Sequence, residues 1–207
     1  CKGTTDKEAS ASLGIDKGGL AYWVACIREC FEEAGILLAY RSDNRNFDPE
    51  NQEENIRFIN YRNRLNKGEP VLSEMCKKEE LFLATDRLAY LSHWITPKVE
   101  KRRYDTRFFV AQTPAGQDAI HDGSESVNSI WIKPEEALKQ QEEGKLLMIM
   151  PTIKNLKSIC GYNNTKQLLE DKNSVNPYDI ATIEPKFFMK DGKYVGLLPG
   201  DEGYEDH

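Results

Sequence analysis

Three glutamates in residues 28–36 are spaced so that a helix would carry them on one face. The segment reads Arg-Glu-Cys-Phe-Glu-Glu-Ala-Gly-Ile, with Glu29, Glu32 and Glu33 as its acids. Residues three and four apart are neighbours on a helix surface, so these carboxylates repel one another. Gly35 suits the left-handed position that ends a helix, which places the acids near the negative end of the helix dipole. A hard divalent cation bound by the carboxylate oxygens would offset both effects.

The same segment matches the second half of a known signature, the Nudix box R-E-U-x-E-E-x-G-U, in which U is a bulky apolar residue. The matching residues are Arg28, Glu29, Glu32, Glu33, Gly35 and Ile36, with Cys30 in the first U position. The chain therefore resembles the Nudix hydrolase superfamily. The resemblance implies an α+β fold, an α/β/α sandwich with a mixed sheet between helices and additional C-terminal helices. The alternative is an acidic, solvated helix face that a glycine ends.

The part of the Nudix box that should precede Arg28 is incomplete in this chain. Gly14 falls at the spacing of the box glycine, but Leu20 occupies the place of the upstream glutamate. We therefore expect the glycine loop and the N-terminal strand to precede Cys1. Residues 1–207 would then form a single Nudix hydrolase domain, truncated at its N-terminus. A mature lipoprotein with a lipid-bearing N-terminal cysteine is the alternative explanation of the first residue.

Motifs beyond the box narrow the resemblance to one subfamily. Residues 93–97 read His-Trp-Ile-Thr-Pro, and residues 102–109 read Arg-Arg-Tyr-Asp-Thr-Arg-Phe-Phe. Residues 122–125 and 198–201 add the short motifs D-G-S-E and L-P-G-D. These segments resemble the coenzyme A diphosphatase-like subfamily of animal peroxisomes and its bacterial relatives. The resemblance implies metal-dependent hydrolysis of coenzyme A or acyl-CoA to 3′,5′-ADP and (acyl-)phosphopantetheine.

The resemblance also implies roles for individual side chains. We expect Mg²⁺ or Mn²⁺ to be held by Glu29, Glu32, Glu33 and Glu125, and Glu125 to act as a fourth ligand or as the base. We expect Glu32, Glu29, Arg28 and Glu125 to form the catalytic group, in which Arg28 pairs with a box glutamate and orients it. For Glu125, a surface loop acid without a catalytic role is the alternative.

A basic segment lies at the middle of the chain. Five cations occur within ten residues: Lys98, Lys101, Arg102, Arg103 and Arg107. Because arginine binds phosphate in a bidentate manner, we predict that Arg102, Arg103 and Arg107, together with His93, bind the substrate. The alternatives are an exposed charged turn for the cations and a hydrogen-bonded histidine in a half-buried strand for His93.

Composition limits the class of protein. The net charge of −6 argues against a general nucleic-acid binder, and no apolar run reaches the roughly 18 residues of a membrane span. The five cysteines follow no disulfide spacing, which favours reduced thiols in the cytoplasm.

We expect a small nucleotide-diphosphate substrate as partner, and a homodimer is left open. An ADP-sugar or dinucleotide pyrophosphatase and a non-catalytic Nudix-like module that binds a nucleotide or protein are the alternative functions.

Hydrophobic periodicity and turn residues predict the elements that position these residues. Residues 1–19 are expected to be a loop, and Asp48 and Pro49 are expected to begin the second long helix. The predicted helices are residues 19–34, 49–68, 71–77, 134–143, 151–160 and 166–172. The predicted strands are residues 36–40, 88–95, 104–112, 126–132, 180–189 and 193–198.

Overall fold

The structure, a computed structural model, describes residues 1–121, 123, 128–190 and 192–206. The backbone forms two compact units. The first comprises Cys1–Ala89 and Ala111–Trp131, and the second comprises Tyr90–Val110 and Ile132–His207. Both helices and strands occur among the described residues, in a mixed order, which confirms the prediction of an α+β fold.

The first unit contains the predicted box helix. Its helices are α1 (Asp6–Leu13), α2 (Leu20–Ala34), α3 (Gln52–Asn66) and α4 (Leu72–Lys78). Strands β1 (Ala39–Tyr40) and β2 (Phe82–Leu83) pair antiparallel, with Ala39 opposite Leu83. Helix α2 packs against α1 and α3 and buries Trp23, Ile27 and Phe31. Of its acids, Glu29 and Glu33 are exposed.

The prediction of a loop over residues 1–19 is wrong, because this stretch contains α1. Thr5 caps the helix: its side chain accepts from the Glu8 N–H, while the Glu8 carboxylate accepts from the Thr5 N–H at 2.8 Å. This reciprocal capping box stabilises a helix start even when the helix itself is polar. Gly14, with φ of 64°, ends α1 in the left-handed conformation.

The second unit is built on a three-stranded sheet. The chain enters this unit within strand β3 (Leu88–Ile95) and leaves it within strand β4 (Asp105–Ala111). The sheet order is β4-β3-β5, and β3 runs parallel to β5 (Thr182–Ile183), with His93 opposite Thr182. The other elements are helices α5 (Pro134–Glu142), α6 (Met150–Ile159) and α7 (Thr165–Ser174), and a hairpin of β6 (Lys186–Lys190) and β7 (Lys193–Leu197).

Other predicted elements also differ from the structure. The predicted strand 180–189 is divided into two strands, Thr182–Ile183 and Lys186–Lys190, and of the predicted strand 36–40 only Ala39–Tyr40 forms a strand. Residues 126 and 127 lie outside the described residues, and residues 128–132 form no strand. Ile130 and Trp131 are 54% and 75% exposed, so their strand propensity lacks the packed neighbours on which it depends. Helix α3 begins three residues after the predicted start, because the Asn51 side chain accepts from the Glu54 N–H at 2.9 Å and caps the helix there.

The described helices include none that is both long enough and apolar enough to cross a membrane.

Candidate active site

Helix α2 presents the box residues, and its sequence explains why it ends where it does. Gly35 adopts φ of 72° immediately after the helix, and its N–H donates to the Phe31 carbonyl at 3.0 Å. A side chain at position 35 would also meet the Arg62 guanidinium at about 3.0 Å. Glycine is therefore required both by the backbone conformation and by the close approach of Arg62.

Arg28 joins two of the three box glutamates. Its Nη1 atom lies 2.7 and 2.6 Å from the two carboxylate oxygens of Glu32, and its Nη2 atom donates to Glu29. The Glu32 side chain is only 12% exposed, whereas that of Glu29 is 50% exposed. Arg28 therefore offsets the repulsion between the two carboxylates and fixes the orientation of the more buried one.

The electrostatics of this group keep Arg28 charged. Burial by itself lowers the pKa of Arg28, but the hydrogen bond and charge of Glu32, together with Glu29, outweigh it and raise the pKa above its ordinary value. A guanidinium that stays protonated can attract and orient both carboxylates.

Arg62 of α3 binds the C-terminal end of α2. Its Nε donates to the Glu32 carbonyl at 3.0 Å, and its Nη2 donates to the carbonyls of Glu33 at 2.9 Å and Ile120 at 2.7 Å. A cation at a helix C-terminus interacts favourably with the helix dipole and satisfies its last carbonyls. Positive charge is thus present at the negative end of α2, supplied by the protein itself.

The donor chemistry of α2 fits a hard divalent cation, since Glu29, Glu32 and Glu33 offer carboxylate oxygens from one helix. Glu33 is exposed, as is Glu29. Within the described ranges, however, no three His, Cys, Asp or Glu side chains are gathered closely enough to hold a metal ion. Glu29 and Glu32 instead share Arg28.

A hydrogen-bonded group in the second unit contains two of the predicted substrate residues. His93 Nε2 lies 2.7 Å from Asp105 Oδ1, and His93 Nδ1 lies 2.8 Å from Thr182 Oγ1. Asp105 also pairs with Arg107, whose side chain is 5% exposed. Because a carboxylate only accepts, His93 Nε2 is the donor to Asp105, and Nδ1 faces the Thr182 hydroxyl. The group links neighbouring strands β3, β4 and β5.

The remaining predicted substrate residues lie in the exposed segment between β3 and β4. Arg102 stacks over the Tyr104 ring at 5.2 Å. Arg103 donates to the Thr96 carbonyl at 2.8 Å and pairs with Glu184 at 2.5 Å. Lys98 and Lys101 are exposed. The two arginines are thus held in place by their own unit while they remain accessible to solvent.

The structure brings the predicted residues together in two groups. Arg28, Glu29 and Glu32 form one group in the first unit, and His93 and Arg107 belong to another in the second. Glu125 lies outside the described residues, so its role stays a prediction. Asp105, Thr182 and Arg62 were not singled out from the sequence. Asp105 was present in the subfamily motif, whereas an isolated arginine on a polar helix gives no signal that it reaches another helix.

Comparisons with known proteins identify relatives over nearly the whole chain. The chain is 26% identical to "Acyl-coenzyme A diphosphatase NUDT19" of Xenopus laevis over 199 residues, which cover 91% of this chain and 52% of the relative. It is 24% identical to the protein of the same name from Gallus gallus over 202 residues, which cover 91% and 53%. The chain thus spans about half the length of these curated relatives.

Structure and family comparisons agree with this result. The crystal structure of a NUDIX hydrolase from Alicyclobacillus acidocaldarius aligns with a TM-score of 0.62 at 20% identity, covering 82% of this chain and 69% of that chain. This similarity supports the Nudix fold. The family model of the NUDT19 Nudix domain matches residues 4–159, a range that includes α2 and the basic segment. The chain therefore belongs to the NUDT19 Nudix domain family of the Nudix hydrolases.

Proposed function

We propose that this protein hydrolyses the diphosphate of coenzyme A or acyl-CoA to 3′,5′-ADP and (acyl-)phosphopantetheine. The observation that carries the proposal is the Arg28–Glu29–Glu32 group on α2, which lies within the match to the NUDT19 Nudix domain. The names of the two curated relatives support the choice of acyl-CoA over other diphosphates. The five free cysteines support a reducing compartment such as the cytoplasm.

The acids of α2 would serve as carboxylate ligands. Nudix hydrolases generally need divalent metal ions, and we assign Mg²⁺ or Mn²⁺ to Glu29, Glu32 and Glu33, with Glu125 as a further ligand or base. A bound cation of this kind neutralises a diphosphate and lowers the pKa of bound water. Arg28 orients Glu29 and Glu32, and it has no direct contact with substrate in this scheme.

The exposed arginines would contact the phosphates. Arg102 and Arg103 are accessible and are each held by a neighbour, so little side-chain entropy is lost when they bind. Arg107 and His93 are buried and engaged with Asp105. We therefore propose that these two residues act on substrate through the position of β4 and the segment that precedes it.

Product analysis with a panel of substrates tests this function. The protein is incubated with Mg²⁺ or Mn²⁺ and with CoA, acetyl-CoA, ADP-ribose or a diadenosine polyphosphate. We expect 3′,5′-ADP to be released from CoA and acetyl-CoA. Turnover of ADP-ribose or the dinucleotide alone would retain a Nudix pyrophosphatase and reject the CoA assignment. Turnover of none of them would favour a non-catalytic binding module.

A further inference from the structure

A cavity of about 420 Å³ lies within the first unit beside the end of α2. Phe31 and Gly35 of α2 line one side, and residues from Phe47 to Arg62, including the first turns of α3, line another. Residues 116–120 complete the wall. Because Phe31 and Gly35 flank Glu32 and Glu33 in the chain, the cavity adjoins the acidic segment of the proposed active site.

The wall formed by residues 116–120 is fixed by hydrogen bonds. The Gln117 amide accepts from the Leu37 N–H at 2.8 Å and donates to the carbonyls of Leu37 at 3.1 Å and Phe47 at 2.6 Å. Ile120 N–H donates to the Ala34 carbonyl at 2.9 Å. The cavity is therefore a preformed feature of the unit, as small-molecule sites usually are.

The charge of the lining disfavours a phosphate group. Asp48 and Asp118 are among the lining residues, and the one lining cation among the described residues, Arg62, donates to three backbone carbonyls. Asn51, Gln52 and Asn55 add neutral amides. A lining with acids and amides suits an uncharged ligand that carries N–H and C=O groups of its own.

The apolar part of the lining favours an aliphatic ligand over a flat ring. Phe31, Phe47 and Phe58 are only 2–3% exposed, so they present little ring face for stacking. The accessible apolar side chains are Ile59, at 48% exposure, and Ile120, at 60%. A nucleobase gains most from an open aromatic face, whereas methyl and methylene groups pack well against isoleucine.

We propose that this cavity binds the pantetheine arm of CoA, a proposal that rests on the function proposed above. Pantetheine is uncharged, carries two amides, and has a dimethyl-substituted carbon and methylene groups that match Ile59 and Ile120. The cavity, at about 420 Å³, falls within the range of roughly 300–1,000 Å³ that small-molecule sites occupy. The side-chain amides of Gln52 and Asn55 would pair with its amides, and the nucleotide would lie outside this cavity.

Direct binding measurements test the proposal without requiring turnover. Pantetheine and 3′,5′-ADP are titrated by calorimetry into the wild type, Asn55→Leu and the matched control Asn60→Leu, which alters an exposed residue of α3 outside the lining. We expect Asn55→Leu to weaken pantetheine binding about three- to tenfold, the effect of one hydrogen bond. The control should bind normally, and 3′,5′-ADP affinity should be unchanged in both variants.

Three results would overturn the proposal: no pantetheine binding to the wild type, equal binding by wild type and Asn55→Leu, or loss of 3′,5′-ADP affinity alone in Asn55→Leu. The last result would assign the cavity to the nucleotide. Pantetheine binding that depends on Asn55 in a protein that does not hydrolyse CoA would uphold the cavity assignment and reject only the proposed reaction. A folded circular dichroism spectrum for each variant completes the comparison.

Discussion

Arg28 and Glu32 are the two side chains on which the proposed active site depends most. Glu32 is largely buried and accepts two hydrogen bonds from Arg28, while Glu29 on the same guanidinium is half exposed. The guanidinium of Arg28 thus offsets the repulsion that the sequence predicts between the carboxylates on this helix face. In the proposed active site, Arg28 holds the two acids close together.

Arg102 is the residue at which a phosphate contact can be separated from a structural role. We expect Arg102→Gln to raise the KM for CoA about three- to tenfold with kcat nearly unchanged, because it removes an exposed cation that binds ground state and transition state alike. Steady-state kinetics provide the measurement. Arg45→Gln, which removes another exposed arginine, is the matched control. An unchanged KM for CoA in Arg102→Gln would contradict a contact between Arg102 and a phosphate of the substrate.

Glu54 gives a pH-dependent contribution to stability. This residue is 7% exposed, and its Oε2 atom lies 2.8 Å from Arg41 Nη2. The same carboxylate accepts from the Glu50 N–H at 2.7 Å. The Arg41 hydrogen bond lowers the pKa of Glu54. The stabilisation is therefore present above the unfolded-state pKa of about 4.3 and is lost as the pH falls through the lower folded-state value. We expect Glu54→Gln to cost about 1–2 kcal/mol at neutral pH.

Urea unfolding of wild type and Glu54→Gln at several pH values checks this prediction. The difference in unfolding free energy should be constant above the unfolded-state pKa and should close in acid. Glu53→Gln, whose side chain is 91% exposed, should show almost no difference at any pH. A gap that persists in acid would contradict the assignment to the Arg41–Glu54 pair.

At the scale of elements, α2 keeps its position partly through α3. Arg62 satisfies the carbonyls of Glu32, Glu33 and Ile120, so it joins the end of the box helix to the segment that precedes Glu125. We expect Arg62→Met to lower the unfolding free energy by about 1–3 kcal/mol, because three acceptors lose their donor. It should also lower CoA turnover, since the backbone of Glu32 loses its support.

Denaturant unfolding and CoA kinetics on the same protein samples test this coupling. Arg45→Met removes an arginine whose partners are exposed carboxylates, and we expect it to change neither quantity appreciably. If Arg62→Met matched the wild type in stability and turnover, α3 would have no part in positioning the site.

The observed helices and strands show which sequence signals are sufficient to predict secondary structure in this chain. Helix α2 and strand β3 were predicted nearly to the residue. The apolar residues of α2 recur at helical spacing and Gly35 ends the helix, whereas β3 is a short segment rich in apolar and aromatic residues that ends before Pro97. Helix α1 was missed because its stability comes from the Thr5–Glu8 capping box and its apolar stripe is weak. Strand β5 was placed inside a longer predicted strand, since its parallel pairing with His93 and Trp94 joins segments far apart in sequence.

At the scale of the whole molecule, the family could be recognised from the sequence because each matching motif is a continuous run of residues. The roles of His93 and Arg107 could not be separated from those of Arg102 and Arg103, because burial and partners such as Asp105 and Thr182 depend on strand pairing. The cavity beside α2 gave no sequence signal either, since its walls come from three separate segments.

The chain covers about half of its curated relatives, so the reaction of those proteins is a proposal for this one. A single Nudix domain over residues 1–207 likewise stays a prediction beside the two compact units of the backbone. The match of the family to residues 4–159 spans parts of both units, which makes assays on the entire chain the relevant ones.

The most direct test of the account is the kcat/KM for CoA in Mg²⁺ for the wild type, Glu32→Gln and Glu53→Gln. Glu32 belongs to the Arg28 group on α2, whereas Glu53 is an exposed glutamate of α3. We predict that 3′,5′-ADP release falls about 100-fold or more in Glu32→Gln and is unchanged in Glu53→Gln. Wild-type kcat/KM in a folded Glu32→Gln protein would contradict the assignment of the active site to α2.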